Sequence, residues 1–219
     1  MAASILQFDG VATEAIPPFS GAVPAGATAR VVCALHESHR ELATVLSGLQ
    51  PPRLGRLRVF GDDMYRLSSS ARLALFQRIA VVPRDGGFIS NLKVWENVAL
   101  PAWYHRAAPI AEIEARMTAL FGELEIGGSA LRALMAKLPD QLTVYEQRAA
   151  AFVRAMAMEP DIIVYDAVFA GLDRQAAGRL LRSVQTFHGA SANRVSLLLL
   201  PDEPFSERVP AEVTITPEM

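Results

Sequence analysis

Apolar residues along the chain fall into two kinds of pattern. Short runs bounded by turn residues recur at 5–8 (ILQF), 29–35 (ARVVCAL), 57–61 (LRVFG), 78–83 (RIAVVP), 161–166 (DIIVYD), 195–201 (VSLLLLP) and 212–216 (EVTIT). Several are apolar throughout rather than alternating, which predicts strands covered on both faces, as in a parallel sheet. Between them the spacing becomes helical. Leu42, Val45, Leu46 and Leu49 recur at i, i+3, i+4 and i+7, with Gly48 near the predicted helix end and Pro51–Pro52 as a stop. Ala149, Phe152, Val153 and Met156 repeat that spacing, and the helical pattern after Asp173 has that residue as its N-cap.

The middle of the chain differs. From about 91 to 158 no strand is predicted; 91–105, 111–124 and 128–138 all read as helix. The expected organisation is a single α/β domain with a mostly parallel sheet. Its core comprises residues 1–90 and 159–219, and a helical subdomain spans 91–158. The Pro/Gly-rich stretch 15–27 (AIPPFSGAVPAGA) is expected to be a surface connection.

Composition narrows the function classes. The 219 residues include 51% hydrophobic positions and suit one domain with a sizeable core. A net charge of −2 gives no reason to expect nucleic acid as a partner. One cysteine, Cys33, excludes an intrachain disulfide framework and fits a reducing compartment. The start MAASILQFDG lacks the charged n-region and long apolar run of a secretory signal. No apolar run reaches the roughly 18 residues that span a bilayer.

The order of the segments resembles that of the ATP-binding subunits of ABC transporters. Residues 46–64 are similar to the segment after the family's phosphate loop, and 80–101 to its Q-loop and following helix. Residues 138–173 are similar to the signature helix, Walker B strand and D-loop. The stretch around SNLKVWENVALP looks most like the ATPases of Mla-type lipid importers, which work with MCE proteins. The resemblance implies an ABC-ATPase-like, P-loop NTPase fold. It also implies a cytoplasmic location, peripheral on the inner-membrane face through a permease or ABC-type partner, and a dimer.

The site positions depart from the family. Phosphate-loop chemistry needs glycines, a lysine and a hydroxyl residue. Here Ser38 and His39 precede Arg40 and Glu41; His39 falls where the lysine belongs, Arg40 and Glu41 where the hydroxyl residues belong. Ser38 and Glu41 spell a capping box, predicting a helix that satisfies its own first N–H groups and sets a carboxylate in its positive end. The signature motif, Leu-Ser-Gly-Gly-Gln in the family, reads Leu142, Thr143, Val144, Tyr145, Glu146, and Thr143–Glu146 is again a capping-box pattern. Arg84 replaces the Q-loop glutamine, Ala167 the catalytic glutamate and Pro201 the H-loop histidine; Asp166 alone is kept. Arg84 is expected to pair with Asp166 where the family's metal sits.

These vestigial positions imply a non-hydrolysing homologue with no catalytic residue, binding neither ATP nor Mg²⁺, that serves a transport system as a structural or regulatory partner. An active ATPase with atypical motifs and a soluble protein using the fold for another ligand are the alternatives. His36, Glu37 and His39 stand close enough to raise a metal, but such a pair near a helix start ordinarily solvates or caps, so no metal is expected. Phe88, Trp95, Trp103 and Tyr104 are candidates for partner docking, because the family receives its permease's coupling helix in this region; ordinary core packing is the competing reading.

Overall fold

The computed structural model describes residues 4–33, 36–105, 109–201 and 209–217. The chain folds as two compact units, Met1–Val81 with Pro160–Ala167 and His188–Met219, and Val82–Glu159 with Val168–Phe187.

The first unit is built on two sheets. One is four-stranded and antiparallel, in the order β2-β1-β4-β5, from β1 (Ser4–Ala12), β2 (Phe19–Pro24), β4 (Leu54–Val59) and β5 (Asp62–Asp63). The other has the order β6-β7-β8-β3-β9, from β3 (Thr28–Cys33), β6 (Ile79–Val82), β7 (Ile162–Asp166), β8 (Val195–Pro201) and β9 (Val213–Ile215). Its β7–β8, β3–β8 and β3–β9 pairings are all parallel. β7 is buried at every position and β8 at all but its last, as their unbroken apolar runs predict. Leu6, Phe8, Val31, Leu42, Leu197 and Leu199 contribute to one buried cluster.

Two expectations need correction here. The stretch 15–27 is not merely a connection, since Phe19–Pro24 forms β2, an edge strand hydrogen-bonded to β1. Proline is tolerated there because an edge strand leaves one side of its backbone unpaired. Leu49 is not part of the helix's apolar face but 81% exposed. Helix α1 (His36–Leu46) closes at Gly48, φ +71°, whose N–H donates to Val45 O (3.1 Å) while Leu49 N–H donates to Thr44 O (3.2 Å). This paired closure places the residue after the glycine beyond the helix. Residues 34–35 of the predicted strand lie outside the described residues.

After α2 (Ser69–Phe76) in the first unit, the second unit contains α3 (Val94–Tyr104), α4 (Ile110–Glu123), α5 (Gly128–Ala136) and α6 (Val144–Met156), with most of α7 (Arg174–Gly189). α3 packs on α4, α5 and α6. Ala149, Phe152, Val153 and Met156 are fully buried, in agreement with their helical spacing. Asp173 caps α7 by accepting from Ala176 N–H at 2.8 Å. Among the described residues, no helix is long and apolar enough to cross a membrane.

Candidate functional site

In the first unit the sheet order puts β7 and β3 on either side of β8, all parallel, so their carboxyl ends share one edge. α1 follows β3 and packs on β3, β7 and β8. One turn into α1, His39 thereby reaches the last residue of β7, 127 positions away. Its Nδ1 lies 2.9 Å from Asp166 Oδ1, and the two residues are 1% and 7% exposed.

Asp166 is therefore paired with His39. Arg84, the partner expected from the sequence, belongs to the second unit. The same carboxylate bears on Cys33 at the end of β3. Burial first, and then the charge of Asp166, push that thiol up to about 12. Cys33 stays protonated and is no nucleophile at neutral pH.

The residue after Asp166 is buried Ala167, which adopts φ +45° and donates its N–H to Leu199 O at 2.9 Å. A left-handed conformation at a residue with a Cβ costs on the order of 1 kcal/mol, and hydrogen bonding and burial hold it here. Its methyl group offers no acid, base or ligand. Pro201 closes β8 in register with Cys33.

Ser38 and Glu41 do not form the predicted capping box. α1 already begins at His36, so Ser38 is inside the helix. Its hydroxyl donates to Ala15 O at 3.2 Å, and Ala15 N–H donates to Glu41 Oε2 at 2.8 Å. Both side chains clamp one residue of the β1–β2 connection, a tertiary contact that outcompetes the local cap. Arg40 is exposed. Beside this clamp lies a hollow of about 400 Å³ lined by Thr13, Glu14, Glu41, Thr44, Val45 and residues 50–53. Arg53 Nε donates to Thr13 O at 3.3 Å and lies 3.9 Å from Glu14. Sequence reasoning missed this hollow, because its walls come from three segments with no shared motif.

In the second unit the Thr143–Glu146 pattern is a capping box. Thr143 Oγ1 accepts from Glu146 N–H at 3.2 Å, and Glu146 Oε2 accepts from Thr143 N–H at 2.9 Å. Lys137 Nζ reaches both Glu146 oxygens, at 2.7 and 2.8 Å. Burial alone would raise the Glu146 pKa, but the hydrogen bonds from Lys137 and Thr143 outweigh it and hold the carboxyl below its ordinary value. The Tyr145 hydroxyl donates to Leu124 O at 2.8 Å, and the Arg179 guanidinium stands 4.6 Å from the ring centroid. Val144 is 46% exposed. The N-terminal turn of α6 is thus served by its own side chains.

The four docking candidates divide. Trp95 and Trp103 are half-buried and stack edge to face, 5.2 Å apart at 81°. Phe88 is half-buried beneath Arg154, whereas Tyr104 is 77% exposed. Trp95 also lines a groove of about 350 Å³ with Met117, Phe121, Leu131 and Met135, rimmed by Glu114 and Arg132. Among the described residues no group of three or more His, Cys, Asp or Glu is placed to hold a metal; the His36 side chain is not described.

The profile of the ABC transporter family matches residues 41–170. The chain belongs to this family. It is a homologue of ABC ATP-binding subunits. It is 29% identical to the intermembrane phospholipid transport system ATP-binding protein MlaF of Haemophilus influenzae, over 74% of this chain and 59% of that protein. It is 30% identical to the molybdate/tungstate import ATP-binding protein WtpC of Thermococcus kodakarensis, over 66% of this chain and 40% of that one. The chain thus spans about half the length of the curated relatives it matches. The dimeric cassette MJ0796, solved with ADP and Pi, superposes with a TM-score of 0.81 at 17% identity, covering 97% of this chain and 94% of that one. Helices and a parallel sheet in the ABC ATPase fold are therefore common ground, as the motif order implied.

Proposed function

We propose that this ABC homologue does not hydrolyse ATP and serves a membrane transport system as a structural or regulatory subunit. One observation carries the reading. Asp166 stands where the resemblance puts the Walker B carboxylate, and it is engaged at 2.9 Å by a buried histidine at the lysine position. The residues present do not fit a Mg-nucleotide. A metal would have to compete with His39 for Asp166, and no carboxylate, amide or hydroxyl of the family's set stands at Ala167, Arg84 or Arg40. The hollow beside α1 is lined by Glu14 and Glu41 against one guanidinium, a poor balance for polyphosphate.

The α6 end supports the same reading. In the family the signature glycines let backbone approach the partner subunit's nucleotide. Here the corresponding turn is closed by Thr143, Glu146 and Lys137, and Tyr145 is tied to Leu124. A first turn whose Glu146 N–H is already engaged, and which carries a carboxylate of its own, is a poorer anion site than an open helix end. The likeness to MlaF supports a lipid-transport setting with a permease partner, and the Trp95 groove supplies an apolar surface in the region the family uses for docking.

Calorimetric titration of the purified chain with ATP and Mg²⁺ tests the proposal. No heat of binding is expected at micromolar nucleotide, and Ala167→Glu should restore no turnover. Micromolar affinity in the wild type, or measurable hydrolysis by that single variant, overturns the reading in favour of an atypical active ATPase.

A further inference from the structure

Between β6 and α3 runs a segment, residues 83–93, with no ladder partner among its described hydrogen bonds. Buried and half-buried side chains from two helices supply what a ladder would. From α6, Gln147 Nε2 donates to Asp85 O at 2.7 Å, and Arg154 donates to Gly86 O at 2.5 Å and Gly87 O at 2.8 Å. From α3, the side-chain amide of buried Asn97 donates to Ile89 O (3.0 Å), Leu92 O (2.9 Å) and Lys93 O (3.2 Å), and its oxygen accepts from Ile89 N–H at 2.7 Å. The segment also folds on itself, with Gly86 N–H donating to Pro83 O at 3.1 Å and Gly87 N–H to Asp85 Oδ1 at 3.2 Å.

We infer that this segment is a fixed strut joining α6 to α3, with Arg154 as the positioning residue that sets its shape. The guanidinium lies 4.9 Å from the Phe88 ring centroid and points its donors at two adjacent carbonyls. A desolvated cation is expensive unless its donors are met, so the carbonyls of Gly86 and Gly87 are held where they are. The Arg154 pKa is lowered to about 10 by burial, with Asp85 acting upward, so the charge persists at neutral pH. The backbone admits this course only with small residues. Gly86 and Gly87 have φ +77° and +54°, and a Cβ on Gly86 would run into the Phe88 ring.

The consequence is mechanical. Ile89 is 46% exposed, yet its backbone is fastened to α3, and the residues before it are fastened to α6. A displacement at Ile89 is passed to both helices together rather than absorbed by a yielding loop. This holds whether or not the chain hydrolyses ATP.

Residue-resolved hydrogen exchange on the whole chain tests it. In Arg154→Met the amides of Gly86, Gly87 and Ile89 are expected to exchange on the order of tenfold faster, while α4 amides keep their wild-type rates. The rise at Ile89 is the informative one, because its own partner Asn97 is untouched. Arg154→Lys, which keeps the charge but not the fork, should recover only part of the protection. Unchanged exchange at Ile89 in Arg154→Met, or open-chain exchange of the segment in the wild type, overturns the inference. Should Arg154→Met not fold, Gln147→Ala removes the bond to Asp85 O, together with a 3.3 Å bond from Arg148, at a half-buried site and should still raise exchange at Gly86 and Gly87 about threefold; no rise there overturns it equally.

Discussion

Ser38–Glu41 and Thr143–Glu146 spell the same four-residue pattern, a hydroxyl followed three positions later by glutamate, and they end up doing different things. At α6 both side chains turn back onto their own helix and close its first turn. At α1 both side chains reach across to Ala15, and the helix begins two residues earlier. The capping box is a local option with a worth of about 1 kcal/mol, so a neighbouring backbone that offers the same bonds can take the side chains away. In the first unit the β1–β2 connection passes within reach of α1. At α6, by contrast, Lys137 reinforces the cap by gripping Glu146.

The largest test of this contrast acts on what the α1 end holds in place of a cap. Asp166→Ala leaves the buried His39 without its carboxylate and is expected to destabilise the chain by about 3 kcal/mol in chemical denaturation. A double-mutant cycle with His39→Ala should show that more than about 1 kcal/mol of this is shared between the two. Additive effects would mean that the pair is merely adjacent.

A smaller effect is expected at the α6 end, where Glu146→Gln should cost about 1.5 kcal/mol at neutral pH after allowing for partial exposure of both partners. The sign of its pH dependence follows from the lowered pKa. The ionised carboxyl stabilises the folded state above the unfolded value of 4.5, and that contribution is lost as pH falls through the lowered folded value. Stability profiles of wild type and Glu146→Gln should therefore converge on acidification. A constant gap down to strongly acidic pH would show that the charge is not what matters.

The smallest effects separate the two patterns directly. Thr143→Ala should cost about 1 kcal/mol and speed exchange of the Glu146 amide. Ser38→Ala should cost about 0.5–1 kcal/mol and loosen Ala15 and its neighbours, leaving the first turn of α1 unchanged. If Ser38→Ala instead loosened that first turn, the two helix ends would be alike after all.

Much of the molecule was legible from pattern alone. β7 and β8 were readable because a strand buried on both faces has no polar position to interrupt it. The helices of the second unit were readable because Ala149, Phe152, Val153 and Met156 keep one face apolar. β2 was hidden by Gly21 and Pro24 and by the Pro17–Pro18 pair before it, which advertise a turn even when an edge strand tolerates them. In the candidate site, the Thr143–Glu146 cap was plain from the residues. That His39 reaches Asp166 was not, since the two stand 127 positions apart and the sequence does not encode their distance.

The sequence by itself determined which stretches become strand and helix, the family to which they belong, and which residue types stand at the candidate site's positions. Those properties depend on side-chain identity and on spacings of a few residues, which the chain states outright. Only the tertiary structure decided that His39 takes Asp166, that Ser38 and Glu41 clamp Ala15, and that Arg154 fastens the segment before α3. Each of these is a competition between near-equal hydrogen bonds, won by whichever acceptor the packed sheet and helices bring within about 3 Å.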